Sequence, residues 1–381
     1  MTSSKHKFFI AGAGGIGQAA GLLLREWAQF ETDLVFGDVN PENLRQAKEI
    51  IETNAKRDGA LELVRMPTTE TSATLAAALK NCEVLLDCSP GGEAPRMARL
   101  ARDFGLHYAN LTEYVAETNS VIDIARNAKT GFILQTGLAP GFINVLAMSL
   151  YQQFQKQFGV EKVERVVMKV GALTAHAHAP HFYGFTWSPI GVATEYVKPS
   201  RVIRNYEITE LPALSDRETI VIGGRSFEAD LTSGGAADLP EYFAGKARSL
   251  EYKTLRHVGH YAWADSVIKQ FPLNNELPDK ILSEFLHQIP AVEDDFVLVH
   301  AAVDGFDDKG VRRMIEKAFF VEPLKIGSAT LRAIQTTTAA PLCEAAIMLL
   351  TGKYKGVILQ SQIDSYEFLH GNFVSRIYVS K

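Results

Sequence analysis

A short apolar run, Phe8–Ala11, leads straight into Gly12-Ala13-Gly14-Gly15-Ile16-Gly17, and an amphipathic segment follows over 15–28. No other feature narrows the possible folds so far. A GxGxxG set between a strand and a helix is the phosphate-binding turn of a doubly wound α/β sheet. The first glycine permits the tight bend, the second lets backbone approach a pyrophosphate, and the third lets the helix lie close on the sheet. The helix N-terminus then offers unpaired N–H groups and a positive dipole end. Asp38 follows the next apolar run, Leu34–Phe36. A carboxylate there, about twenty residues past the turn, accepts hydrogen bonds from the adenosine ribose and repels a 2′-phosphate. No Arg or Lys occurs in the six residues after Asp38. NAD is therefore the expected cofactor, with NADP disfavoured.

The same alternation continues. Leu61–Val64, Val84–Asp87, His107–Asn110 and Phe132–Leu134 read as strands, with helices over 41–55, 71–80, 93–104 and 114–129 between them. Strand and helix in turn argue for a parallel sheet covered on both faces. Asn40-Pro41 is a good helix start, with a capping Asn and Pro at the first helical position. Ligands of such sheets bind beyond the carboxyl ends of strands. That adds Ser89, Pro90 and Gly91 after the fourth strand, and Asn110 and Thr112 after the fifth, to the glycine turn and Asp38 as expected cofactor contacts.

After Thr136-Gly137 the texture changes. A helix over 142–157 precedes period-2 segments at Val163–Val170, Arg201–Ile208, Ile220–Ile222, Tyr252–His257 and Phe296–Val303, separated by turns such as Gly223-Gly224. This predicts an α+β domain on an antiparallel or mixed sheet. The tail from about 338 is helical again and is expected to pack back on the first domain. The expected organisation is a Rossmann domain over 1–136, an inserted α+β domain over 137–335, and a returning segment over 336–381.

Composition excludes several classes. Acidic residues outnumber basic ones by five, so nothing suggests a grip on nucleic acid or an anionic membrane. Three cysteines (Cys82, Cys88, Cys343), none in CxxC spacing, point to a reducing, cytoplasmic setting. Lys5-His6-Lys7 before an uncharged run has the outline of a secretory leader. That run, however, holds Gly12, Gly14, Gly15, Gly17, Gly21 and Gln18, with no small-residue cleavage site after it. No other stretch reaches the roughly 20 apolar residues of a membrane span.

Several downstream segments are more specific. They are Thr136 to Asn144, Phe185 to Pro189, Gly191 to Tyr196 with Pro199, Thr232 to Gly235, Leu250 to His260, and Thr336 to Pro341 before a helix and the short strand Gly356–Leu359. Together with the glycine turn they resemble the saccharopine dehydrogenase-like oxidoreductases, over nearly the whole chain. The resemblance implies a Rossmann domain with an inserted substrate domain that dimerises, and hydride transfer at a carbon bearing nitrogen. It also implies an amino-acid-like substrate, and a place for Gly137 to Asn144 where the two domains join. Gly137 thus joins the cofactor contacts and Asn144 the substrate contacts.

Amino-acid carboxylates are best held by the arginine fork. Arg256 is the first candidate, with Arg201 and Arg204 behind it. Oxidation at a C–N bond also needs a proton acceptor. His260, His257 and Tyr196 are the candidates, with Glu195 and Lys253 as alternatives. Strand geometry sends Arg256 and His257 to opposite faces, which places His257 below His260. This chain has His257-Val258 where the family commonly has Tyr-Pro, so the loop and its substrate differ. Trp187 suits a pocket wall or a core. His176, His178 and His181 suit a polar substrate loop better than a metal site, since no fourth ligand is evident; no metal is expected. Cys88 at a strand end would suit a thioester route. That leaves a carbon–oxygen or semialdehyde dehydrogenase, or a non-enzymatic NAD-binding protein, as alternatives.

Overall fold

The computed structural model describes residues 4–379 apart from 273 and 275. It divides into two compact units. The first runs to Phe142 and regains Leu324–Leu331 and Gln335–Ile377; the second takes Ile143–Pro323, Arg332–Ile334 and the residues from Tyr378. Most of the second unit is therefore an insertion within the first.

In the first unit, strands β1 (Lys5–Ala11), β2 (Glu31–Asp38), β3 (Leu61–Arg65), β4 (Val84–Asp87), β5 (His107–Asn110) and β6 (Gly131–Ile133) form one sheet with a strand from the C-terminal region, Gly356–Ile358. All neighbours are parallel, in the order β3-β2-β1-β4-β5-β6 and then Gly356–Ile358. Every residue of β4 is buried, as a sheet covered on both faces requires. Helices α1 (Gly15–Trp27), α2 (Pro41–Asn54), α3 (Ala73–Lys80), α4 (Ala94–Phe104) and α5 (Val115–Ala125) connect the strands. Their ends carry local signals. Asn40 accepts from the Glu42 N–H before Pro41, and Ser72 accepts from Leu75. Gly105 closes α4 in the left-handed region.

The second unit opens with most of α6 (Phe142–Phe158) and is built on an eight-stranded mixed sheet. Its strands are β7 (Val163–Thr174), β8 (Ser200–Arg204), β9 (Glu207–Leu211), β10 (Glu218–Ile222), β11 (Arg225–Leu231), β12 (Ala247–His257), β13 (Asp295–Phe306) and β14 (Arg312–Val321). The main path is β10-β11-β12-β7-β13-β14, with β8 pairing β12 and β9 pairing β8. Only the β12–β7 pair in it is parallel. Helices α7 (Pro189–Glu195), α8 (Leu239–Phe243), α9 (His260–Ile268) and α10 (Leu277–Gln288) complete the unit, and α7, α9 and α10 share an aromatic-rich core cluster.

Three expectations need correcting. The segment Arg201–Ile208 is two strands, because Asn205 and Tyr206 both take positive φ and fold it into a tight hairpin. Strands β11 and β14 escaped the sequence reading, since β14 shows charged residues along an exposed edge. Finally, Pro341 lies inside helix α11 (Ala333–Leu350) rather than before it. That helix starts early because the Asp295 carboxylate accepts the Ala333 and Ile334 N–H groups, each at 2.7 Å. A carboxylate on these unpaired donors caps the helix from a distant strand.

Candidate functional site

The glycine turn is shaped by three close approaches. Gly12, at φ +93°, donates its N–H to the Gly37 carbonyl, and a Cβ there would sit 2.6 Å from the Cys88 oxygen. A Cβ on Gly17 would lie 1.9 Å from the Gly12 oxygen, so helix α1 rests directly on the turn. Gly14 differs: nothing lies within 4 Å of its would-be Cβ. Helix α1 has no side-chain cap and no acid in its first turn. Gly14, Gly15 and Ile16 thus leave an open cradle at a positive helix end, which fits a pyrophosphate. Gln335 donates to the Gly15 carbonyl at 3.1 Å beside it.

Asp38 does more than the sequence implied. Its carboxylate accepts the Ala13 N–H at 2.7 Å and the Asn40 N–H at 2.7 Å, tying the turn to the end of β2. Asn43 adds a longer contact at 3.3 Å. Register also pairs Asp38 with Arg65 of β3, an exposed cation that reading only the residues after Asp38 missed.

At the ends of β4 and β5 lies a second polar group. The Asp87 carboxylate accepts the Ser89 N–H at 3.0 Å, the Ser89 hydroxyl, and the Tyr108 hydroxyl at 2.7 Å. Burial pushes the Asp87 carboxyl up to about 6 despite these donors. Pro90 leads into a short turn where a Cβ on Gly91 would meet the Thr112 hydroxyl at 2.8 Å. Asn110 accepts the Gln135 N–H at 2.8 Å, while its buried Nδ2, beside the Tyr108 hydroxyl, makes no close hydrogen bond among the described residues. Gly137 donates to the Pro140 carbonyl at 3.0 Å, closing a tight loop. An open cradle and an orphaned buried donor are the features a bound dinucleotide would satisfy.

In the second unit, Arg256 near the end of β12 is only 1% exposed. Its Nε donates to the Tyr196 hydroxyl at 2.7 Å and its Nη1 to the Leu255 carbonyl at 3.0 Å. Nη2 is buried without a hydrogen-bond partner among the described residues. The guanidinium stands over the ring of Tyr183 at 4.7 Å and that of Tyr196 at 5.6 Å. The buried Tyr183 hydroxyl has no acceptor for its proton among the described residues. Tyr196 in turn meets His260 Nε2 at 2.8 Å, and His260 Nδ1 meets the His181 carbonyl at 2.7 Å. Burial, then the Arg256 charge, holds His260 well below the ordinary imidazole range. Glu195, one residue before Tyr196, lies close enough to act on Arg256 electrostatically.

Residues 137–374 match the saccharopine dehydrogenase C-terminal domain, and residues 8–134 match the saccharopine dehydrogenase NADP binding domain. The chain belongs to the saccharopine dehydrogenase family. Membership makes it an oxidoreductase whose first domain binds NAD(P). Its fold is similar to that of apo saccharopine dehydrogenase (L-Glu forming) from Saccharomyces cerevisiae, at 14% identity and a TM-score of 0.74, covering 98% of this chain and 99% of that one. It is also similar to homospermidine synthase from Legionella pneumophila in complex with NAD, at 12% identity and a TM-score of 0.70, covering 100% and 91%.

Within this saccharopine dehydrogenase-family chain, the remaining expected residues scatter. His257 donates from Nε2 to the Thr174 carbonyl at 3.0 Å, between Phe227 and Phe296 on the face of β12 opposite Arg256. Lys253 shares that face and pairs with Glu218 at 2.9 Å. Arg201 pairs with Glu241, and Arg204 with Asp216 and Glu251. Trp187 packs over Gly191, leaving no room for a Cβ there. Asn144 is fully buried and donates to the Gly235 carbonyl at 3.0 Å. His178 is exposed, and His176 pairs with Asp294. Cys88 is a free thiol that burial, with Asp87 adjacent, pushes far above its usual value. Sequence reasoning missed Tyr183, the His181 carbonyl and the Asp87–Tyr108 pair, because nothing in spacing marks an aromatic loop residue or a backbone oxygen.

Proposed function

We propose that this chain is an NAD-dependent oxidoreductase that moves a hydride at a C–N bond of an amino acid or an amine–carboxylate adduct of the saccharopine kind. The observation that carries the substrate half is Arg256. A buried guanidinium with one nitrogen lacking an acceptor is costly even beside Glu195, and a substrate carboxylate would complete it. In this reading Gly14, Gly15 and Ile16 hold the pyrophosphate, Asp38 takes the ribose hydroxyls, and the Asn110 amide offers a donor deeper in the site. Bound there, the dinucleotide accepts or delivers the hydride. Tyr183 and Arg256 orient the substrate by its carboxylate.

NAD is proposed over NADP on the strength of Asp38, and the same fold holds NAD in the Legionella homospermidine synthase structure. The raised Cys88 thiol weighs against a thioester route, since a thiol rather than a thiolate is a poor nucleophile. We further propose a homodimer working on small molecules, without nucleic acid or membrane, in the cytoplasm, where three free thiols persist.

The test is a spectrophotometric screen of L-saccharopine, L-lysine and related diamines with NAD and NADP in both directions, alongside calorimetric binding of each cofactor. Absorbance change with NAD and an amine supports the reading. Tighter binding of NADP than NAD overturns the cofactor assignment. NAD binding with no turnover of any amine or carbonyl compound favours a non-enzymatic NAD protein instead.

A further inference from the structure

We propose that His260 is a positioning residue: held by the His181 carbonyl, it clamps the Tyr196 hydroxyl, which holds the Arg256 guanidinium so that Nη2 faces an incoming carboxylate. This rests on the reading of Arg256 given above and adds to it how that side chain is aimed.

The chain of hydrogen bonds has one self-consistent direction. A carbonyl only accepts, so His260 Nδ1 carries the proton in its 2.7 Å contact with His181. In a neutral imidazole Nε2 then presents its lone pair, and the Tyr196 hydroxyl donates to it at 2.8 Å. With its proton committed, the Tyr196 oxygen accepts Arg256 Nε–H at 2.7 Å. The Leu255 carbonyl takes Nη1, and the Tyr183 and Tyr196 rings bracket the cation. Two of its three nitrogens are thus held internally, and among the described residues Nη2 is left without an acceptor. The Tyr183 hydroxyl, on the ring beneath the guanidinium, is another donor without an acceptor among the described residues. A carboxylate has two oxygens, and both donors suit it.

The same arrangement argues against His260 as the proton acceptor. Both ring nitrogens are engaged, and the residue has no exposed surface. A second cation there would face Arg256 directly and leave Tyr196 with two donors and no acceptor for its own proton. The groups around it are Arg256 and His257 from β12, Glu195 and Tyr196 at the end of α7, His181 and Tyr183 in the preceding loop, and Tyr261 in α9. None besides Glu195 is an acid, and the net effect keeps the ring neutral.

The test combines a spectroscopic readout with a kinetic split. Ring nitrogen NMR of the full-length protein, with His260 assigned by its loss in His260→Gln, should show a neutral Nδ1–H tautomer unchanged between pH 5 and 9 (about these limits). An Nε2–H tautomer, or titration inside that window, overturns the proposal whether or not a substrate is known. With the amine substrate that the screen returns, Tyr196→Phe should raise KM about tenfold while kcat stays within about threefold. His260→Ala should raise KM in the same way, and His260→Gln, which keeps an acceptor and a donor but no titrating group, should restore near-native KM and leave the pH–rate profile unchanged. A loss of kcat of about a hundredfold in His260→Gln with KM intact is the signature of a base and refutes the positioning role. Arg256→Ala separates the two layers. If it leaves L-saccharopine binding, followed by calorimetry, unaffected, the carboxylate reading fails. If it abolishes binding while Tyr196→Phe keeps wild-type KM, only the relay fails.

Discussion

Gly14 and Gly17 stand three residues apart and should fail in opposite ways when given a methyl group. Gly14 has φ −74° and ψ −171°, backbone that any residue adopts, and its Cβ would meet nothing within 4 Å. Gly14→Ala should therefore fold normally, with stability changed by no more than about 0.5–1 kcal/mol and a melting shift of about 2–3 °C at most. Gly17→Ala places a carbon 1.9 Å from the Gly12 oxygen and 3.3 Å from Ile10 Cγ2. Non-bonded atoms rest at roughly 3.5 Å, so helix and turn must part by more than about 1 Å. Overpacking of this kind costs about 1–3 kcal/mol, and backbone against backbone belongs at the upper end. For a domain of this size that lowers the melting temperature by about 6–12 °C. Binding should reverse the order of interest. The Gly14 methyl occupies the cradle and removes a charge-assisted hydrogen bond worth about 1.5–3 kcal/mol, which weakens the dinucleotide about 10- to 100-fold. Thermal unfolding by circular dichroism, with calorimetric titration of NAD and NADP, reads both quantities. If Gly14→Ala binds either cofactor within about twofold of wild type, or unfolds earlier than Gly17→Ala, the reasoning about the cradle is wrong.

Other outcomes follow from the same geometry. Asp38→Ala should lower affinity for both cofactors, because it also releases Ala13 and Asn40, but the NAD:NADP affinity ratio should fall; an unchanged ratio removes Asp38 as the discriminator. Burial raises Asp87 to about 6 and Glu344 to about 7. A raised folded value means the native state binds those protons more tightly, so their contribution is present below about pH 4 and is lost as pH rises to about 7. Glu344→Gln keeps an acceptor for the Phe373 and Val374 N–H groups, and its melting temperature should gain on the wild type from acid to neutral pH. A constant difference would contradict the sign. With Cys82 and Cys343 buried and the Cys88 thiol raised, Ellman's reagent at pH 8 (about one unit above neutral) should label the native protein slowly and all three thiols after denaturation. Rapid labelling of Cys88 would reopen the thioester route.

The first unit was largely legible because its rules are local. A glycine turn, period-3.6 helices with an Asn40 cap, and buried strands each declare themselves within a few residues. The second unit was less so. Charged β14 and the Asn205-Tyr206 turn hide strands that only their sheet partners explain. The site shows the same division. Asp38 was found by spacing, but its grip on Ala13 and its neighbour Arg65 come from strand pairing. His260, Tyr196 and Arg256 were all singled out as chemically capable. Their order in one relay depends on a backbone oxygen at His181, which carries no sequence signal.

The strand Gly356–Ile358 pairs with β6, and Gln360 reaches back to the Leu134 carbonyl. More than half the chain separates these partners. On the ribosome, the first unit begins to form long before its sheet can be finished, and most of the inserted unit emerges in the interval. Until the last strand arrives, β6 is an open edge, the kind of surface on which strands from other chains add. Translation rate across the region after β6 therefore bears on yield, and truncations near the C-terminus should expose an aggregating edge in the cofactor domain although they remove nothing from the cofactor turn itself.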